Sequence, residues 1–330
     1  MQHTDFFAEL KQRGKSEDVI TLAKQVLDRF DRYQATVPDN PQVVRDFAHQ
    51  QVAGGDNARS QLVILFWYHD FIKDNASSTY LLTLLGTLDV LESQKQRMAS
   101  LYGEGKAEAV FNATQIPPLG TDLIHFPKAI VQYLQNMAAN LSEVDCQRVL
   151  AGNHHGVDVK HFEDDKKLFA DELNLENYLR AKHQRLIAEL QTYAESGELW
   201  YEQHITQAVV DFVKDHQEIQ TGILEGKRVI VAKIPYNPDA WLNEENPLRK
   251  RYHACHCPFV REAILSETAV PSLWCYCSGG FTKLFFDYLF ETDLKVELLE
   301  SVLDGADCCR FAVTLPQDYK VKYNDEDYHE

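Results

Sequence analysis

The chain has 330 residues, 45% of them hydrophobic and 25% charged, the make-up of a globular protein with room for about two domains. Its formal net charge of −17 argues against nucleic acid or an anionic membrane as partner, because both recruit proteins through basic patches, and Arg249, Lys250 and Arg251 form the one tight basic cluster. The start, MQHTDFFAEL, has no basic region followed by an apolar run, and the longest apolar run, Leu62 to Tyr68, is too short to span a bilayer, so a cytoplasmic protein is expected.

Residues 1–198 read as helix after helix. Ser16 is placed to cap a helix carrying Val19, Ala23, Val26, Leu27, Phe30 and Tyr33 at helical spacing, which Pro38 and Pro41 end. Residues 58–73 are very apolar and predict a deep helix. Leu81, Leu84, Leu85, Leu88 and Leu91 predict another that runs on toward Tyr102. Ile116 to Asp122 is a loop by its Pro and Gly content, and Pro127 fits the first turn of a helix through Ile130, Leu134 and Met137. Gly152 to Val157 breaks the pattern, and a last long helix through Leu179, Leu186 and Leu190 ends near Gly197. The His69-Asp70 doublet, with His49 and Asp122, offers the residue types of a metal-dependent phosphohydrolase, but a hydrogen-bonded core histidine is the simpler expectation. His154-His155-Gly156 offers ligand types but reads more simply as a helix end, and Tyr201, Glu202 and His204 are acid/base types that a solvated strand edge explains as well.

After residue 198 the pattern changes. A strand is expected over Leu199 to Ile205, a short helix near Ala208 to Lys214, and a hairpin of Ile219–Ile223 and Lys227–Ile234 around Glu225-Gly226. Pro235, Pro238 and Pro247 mark a long connection, whose Tyr236 and Trp241 either cover a ligand or pin the loop to the core. YHACHC and SLWCYC read as strands leading into helices, the second helix being FTKLFFDYLF. In the closing hairpin Leu294, Val296 and Leu298 alternate, Asp304-Gly305 turns, and Cys309, Phe311, Val313 and Leu315 alternate on the return. The fold class is α+β: a helical domain over 1–198, an α+β domain over 199–317 with three cysteine pairs, and an acidic tail over 318–330 expected to be disordered.

Six of the seven cysteines lie between Cys255 and Cys309. In a reducing compartment they are thiols or metal ligands rather than disulfides. Strand geometry puts Cys255 with Cys257, and Cys275 with Cys277, on common faces. Cys255, Cys257, Cys275 and Cys309, with His253 on the same face, are donor types for zinc, although Cys-x-Cys spreads its sulfurs wider than a tetrahedral site prefers. In a second reading Cys257 and Cys277 sit at helix starts, where the dipole favours thiolate. Cys277 is then the better nucleophile, with His253 or His256 as base, and Ser278, Gly279 and Gly280 bring backbone amides toward a ligand carboxylate or an oxyanion. Arg310 either grips a ligand carboxylate or pairs with Glu297 or Glu300 across the hairpin. In the third reading the cysteines are small buried hydrophobes.

Glu297, Glu300, Gly305, Asp307, Cys309, Arg310 and Phe311 carry a resemblance. VELLESVLDGADCCRFAV resembles the closing hairpin of 4-vinyl-reductase-type domains and of L-2-amino-thiazoline-4-carboxylic acid hydrolase-like proteins. The stretch from Leu199 to Pro316 also resembles a largely uncharacterised bacterial family with a CHCP-to-CYCSGGF pattern. The first resemblance implies an α+β module that binds a small molecule beside a metal; the second implies opening of a C–N or C–S ring. Two functions stay open: a small-molecule-binding, sensory protein whose cysteine region builds a pocket or holds a metal, and a thiol- or metal-dependent hydrolase using Cys277.

Overall fold

The computed structural model describes residues 2–40, 42–54, 57–119, 121–172, 174–266 and 268–319. Most of the acidic tail, residues 320–330, therefore lies outside the described residues. The protein is α+β, and the described chain divides into two compact units. One holds residues 1–90 with 117–122, and the other holds 91–116 with 123 onward. The change from helical to sheet-bearing sequence at residue 198 falls inside the second unit.

The first unit is all helical: α1 Gln2–Gln12, α2 Glu17–Thr36, α3 Val43–Ala53, α4 Ala58–Phe71 and α5 Asn75–Thr87. Ser16 caps α2 as expected, its hydroxyl accepting from the Val19 N–H at 3.4 Å. Val26, Leu27 and Phe30 of α2 meet Leu62 and Leu65 of α4 in one apolar core. His69 belongs to that core. Its Nδ1 donates to Asp74 at 3.0 Å, and Asp74 caps α5, so this histidine is a hydrogen-bonded core residue as expected.

The expected helix from Leu81 toward Tyr102 is two helices. The Leu88 carbonyl-side turn and Asp89, at φ +67°, separate α5 from α6 (Val90–Tyr102). The second unit continues with α7 Glu104–Asn112, α8 Phe126–Asn140, α9 Glu143–Leu150, α10 Glu163–Asp171 and α11 Leu175–Ser196. Leu199 to Ile205 is a two-residue hairpin, β1 Leu199–Trp200 with β2 Gln203–His204, because Tyr201 at φ +55° turns the chain back. Then come α12 Gln207–Asp215, β3 Ile223–Glu225, β4 Arg228–Ala232, α13 Pro238–Asn243, α14 Pro247–Ala254, α15 Arg261–Leu265, α16 Tyr276–Phe290, β5 Val296–Glu300 and β6 Arg310–Thr314. The four longer-range strands form an antiparallel sheet in the order β3-β4-β6-β5, with Ile230 opposite Ala312 and Leu298 opposite Phe311.

Neither Cys-x-Cys segment is a strand. Asn246 caps α14 by accepting from the Leu248 and Arg249 N–H groups, and Pro247 opens its first turn, so His253 and Ala254 are helical and Cys255 is the C-cap. Ser272–Cys275 is a 3₁₀ turn that runs straight into α16. The connection from Pro235 to Lys250, expected as a loop, holds α13 and the start of α14. The closing hairpin is joined by nine residues, Ser301 to Cys309, including a 3₁₀ turn at Val302–Asp304 and Gly305 at φ +102°.

Two glycines set the depth of α16. A Cβ on Gly279 would come within 3.2 Å of Phe311 and 3.4 Å of Val296, on the sheet. A Cβ on Gly280 would come within 2.6 Å of the Ala151 carbonyl carbon and the Gly152 oxygen, on the opposite side. The helix is thus held between the sheet and the 151–152 turn, with no room for another carbon on the Gly280 side and a tight fit on the Gly279 side. Gly280→Ala should destabilise the protein by about 1–3 kcal/mol, the usual cost of overpacking, because backbone rather than a flexible side chain must give way. Thermal denaturation of the variant checks this; an unchanged melting temperature would mean that the turn is soft.

Candidate functional site

The side chains around the start of α16 come from five places in the second unit. On α6, Ser93, Gln94 and Arg97 face the 148–155 segment: the Arg97 Nε donates to the Arg148 carbonyl at 3.0 Å, and the Ser93 hydroxyl donates to His154 Nδ1 at 3.0 Å. Arg97 also pairs with Asp293 at 3.2 Å, and Asp293 with the buried ammonium of Lys283 on α16 at 2.5 Å. These contacts hold α6, the 148–155 turn and α16 together. The Lys233 N–H, just past β4, donates to the Cys309 carbonyl at 2.9 Å, extending the ladder to the residue before β6.

In this frame Cys277, buried in the first turn of α16, directs its thiol at His155 Nε2, 3.8 Å away. Gln94 is fully buried beside it, and both atoms of its carboxamide lack a protein partner by strict geometry, although the amide bears on the Cys277 sulfur and favours its anion. The fully buried Tyr133 hydroxyl is likewise without a protein partner, and burial raises its pKa. Phe281, 46% exposed and one turn on from Cys277, lies above the group, with the His155 ring edge-on at 5.7 Å and the Lys233 ammonium 5.0 Å from its centroid. Lys233 donates to Ser278 Oγ at 3.1 Å.

The electrostatics centre on Lys233. Burial lowers its ammonium pKa, while Cys309, Cys277, Cys257 and Cys255 all act to keep it charged. Four thiols therefore share one cation. Burial pushes Cys277 up to about 12, with Lys233 and Gln94 opposing, so at neutral pH it is a thiol and needs a base to ionise. Burial also raises Cys255 and Cys257, the latter accepting the Trp274 indole N–H at 3.1 Å. Cys309 is the exception. Coupling to Cys275, with the Val302 amide and the Lys233 charge, brings it down to about 7 against the effect of burial. Its neighbour Cys308, also partly buried, is pushed by burial to about 11.

The expected site residues divide accordingly. Cys277, Ser278, Cys255, Cys257, Cys275 and Cys309 share the Lys233 neighbourhood, but among the described residues no three His, Cys, Asp or Glu side chains converge to hold a metal ion. The tetrathiolate expectation rested on two paired strands, and those strands are absent. His256 donates to the Ile234 carbonyl at 2.5 Å and is lowered to about 3 by burial; His253 lies 3.9 Å from Glu244. The structure pairs Cys277 with His155 and gives neither of them that place. Gly279 and Gly280 are taken up by packing, and the amide of Tyr276 bonds to the Leu273 and Trp274 carbonyls of the preceding turn. Arg310 pairs with Glu300 at 2.9 Å across the hairpin. Trp241 anchors its segment by donating to the Asp307 carbonyl at 3.0 Å, and Tyr236 donates to Glu202 at 2.9 Å beneath the Arg261 guanidinium. Sequence reasoning missed Lys233, Gln94 and the role of His155; the last carried a signal, a His-His-Gly at a helix break, but nothing to aim it at Cys277. A separate cleft of about 180 Å³ between Arg251, Ile264, Val270 and Leu303 has no thiol on its wall.

Residues 233–320 match the model of a family of unknown function, DUF6144. No curated protein and no solved structure matches the chain. The matched stretch begins at Lys233 and contains all six clustered cysteines, whereas Gln94 and His155 lie outside it. Among the described residues no helix is long and apolar enough to cross a membrane.

Two outcomes follow from the titration pattern. At pH 7 iodoacetamide should alkylate Cys309 on the order of 10²-fold faster than Cys308, the larger thiolate fraction being partly offset by lower intrinsic nucleophilicity; peptide mapping against time reads this, and equal rates would refute the assignment. His154 donates to the Val149 carbonyl at 2.8 Å and is lowered to about 4 by burial. Its contribution to stability is present above its ordinary value of 6.5 and is lost as pH falls through 4, because the unfolded chain binds the proton first. The melting temperature should drop over that window, and less steeply in His154→Gln.

Proposed function

We propose that this protein binds a small molecule beside the start of α16 and acts on it as a thiol-dependent hydrolase, with Cys277 as nucleophile. The observation that carries this reading is the Cys277 sulfur 3.8 Å from His155 Nε2, with the Gln94 carboxamide fully buried alongside. A nucleophile, a base and a polarising amide are the minimum set for acyl transfer or for hydrolysis at a carbon next to nitrogen or sulfur.

His155 takes the Cys277 proton as the sulfur attacks the electrophilic carbon of the substrate. The thiol is un-ionised at rest, so proton transfer accompanies attack instead of preceding it. The Gln94 N–H donates to the oxygen or nitrogen that gains negative charge, in surroundings from which water is largely excluded. His155 then returns the proton to the leaving group, and water releases the product from sulfur. The Lys233 ammonium and the exposed Phe281 supply charge and an apolar face for a small anionic substrate. The likeness of the closing hairpin to L-2-amino-thiazoline-4-carboxylic acid hydrolase-like proteins favours a small cyclic C–N or C–S compound as substrate. A cytoplasmic location fits a chemistry that needs reduced thiols.

The test uses p-nitrophenyl acetate as a generic acyl donor, in a Cys309→Ser background so that the second reactive thiol is silent. A burst of p-nitrophenolate with acetyl on Cys277, located by mass spectrometry, is the expected result. His155→Ala should slow acylation by about 10²–10⁴-fold at pH 7 and recover part of the rate as pH rises. Gln94→Ala should cost about 10²-fold. Acetylation elsewhere, or a rate indifferent to His155, would remove the reading.

A further inference from the structure

Arg261, the first residue of α15, is a partly buried cation that the hydrolytic reading does not use. Its guanidinium carbon lies 4.5 Å from the Tyr236 ring centroid and 5.2 Å from that of Tyr252, so two aromatic faces hold it. Each ring is fixed in turn through its hydroxyl. Tyr236 donates to Glu202 at 2.9 Å, and Tyr252 donates to Glu262 at 2.8 Å. Backbone bonds fix the segments that carry them: the Arg261 N–H donates to the Cys257 carbonyl at 3.0 Å, and the Tyr236 and Asn237 N–H groups donate to the Ala254 and His253 carbonyls at 3.3 and 2.8 Å.

A cation held this firmly and partly out of water ordinarily faces a carboxylate. Among the described residues Arg261 forms no ion pair, and its Nε is buried without a partner. Glu202 and Glu262 are engaged by the tyrosines instead. Burial also raises Glu202, against the Tyr236 bond and the Arg261 charge, which weakens it as a counter-ion. The His256 ring stands edge-on to Tyr236 at 5.6 Å, bonded to the Ile234 carbonyl at 2.5 Å.

We propose that Arg261 anchors a binding site for a small oxyanion, the carboxylate or phosphate group of a ligand, between Tyr236 and Tyr252. Stacking occupies the faces of a guanidinium and leaves the donors in its plane to a ligand. Those donors match the paired oxygens of a carboxylate or phosphate. The anion supplies the missing counter-charge, and the tyrosine rings give apolar walls to the carbon that carries it. With a formal net charge of −17 the protein does not gather anions by its overall field, so one bound here is selected by local donors. The site involves neither Cys277 nor His155.

The experiment treats the full-length protein with phenylglyoxal, which modifies arginine, in chloride alone and then with inorganic phosphate, benzoate or neutral benzamide at constant ionic strength. Peptide mapping follows Arg261, with Arg251 and Arg310 as internal references. Arg261 should react in chloride and be protected saturably by phosphate, by benzoate or by both, the protecting arm naming the oxyanion; benzamide should protect nothing. Calorimetric titration of Arg261→Lys, which keeps the charge and loses the fork, should show binding of the protecting anion weakened by about tenfold or more. No reaction at Arg261 in chloride, no protection by either anion, equal protection of all three arginines, or undiminished binding to Arg261→Lys would each overturn the proposal. Protection is read on the unaltered protein, so a variant that fails to fold leaves the test standing. Cys277→Ser should keep the protection, which separates this outcome from that of the hydrolytic reading.

Discussion

Everything placed near the cysteines depends on how closely α16 lies between the sheet and the 151–152 turn. Gly279 lies tight against Phe311 and Val296, and Gly280 faces the backbone at Ala151 and Gly152 at distances that exclude an added carbon. That double contact fixes the height of the first turn of the helix, and with it the position of Cys277 relative to His155, three residues beyond Gly152. It also sets Cys275 against Ser301, just past β5. The Lys283–Asp293–Arg97 chain ties α16 to α6 from further along the helix, so α6 presents Gln94 to the same spot.

The second organising feature is one cation among several sulfurs. Lys233 follows the central strand β4 and is drawn into thiol-rich surroundings, where its charge is opposed by burial and supported by the sulfurs. A shared cation cannot ionise four thiols at once. The surroundings divide them: Cys309 is brought down to about 7 by its coupling to Cys275, the Val302 amide and the lysine charge, while burial leaves Cys277 at about 12. One neighbourhood thereby contains a thiol lowered toward neutral pH and a thiol that needs a base.

Much of the fold was legible in the chain itself. Apolar spacing announced the helices of residues 1–198, Ser16 and Pro127 marked their starts, and alternation at Val296–Leu298 and Phe311–Val313 marked the closing strands, because these patterns record which side of an element is buried. The Arg310–Glu300 pair was legible for the same reason, since cross-strand neighbours follow from register. The Cys-x-Cys segments were not. Their alternation of cysteine with His and Tyr imitates a strand, but the Asn246-Pro247 start made one a helix end and the 3₁₀ turn made the other a helix start.

What the sequence by itself determined was an α+β protein with a cluster of thiols in its last third, and Cys277 near a helix start. What only the tertiary structure decided was the company each thiol keeps. Cys277 meets a histidine 122 positions earlier in the chain, an amide from α6 and a lysine from the end of β4. The local pattern around Cys277 points instead to His253 and His256, which bond elsewhere. Period and composition report the face an element buries; they carry no record of which distant residue is pressed against it, and thiol ionisation depends on that neighbour.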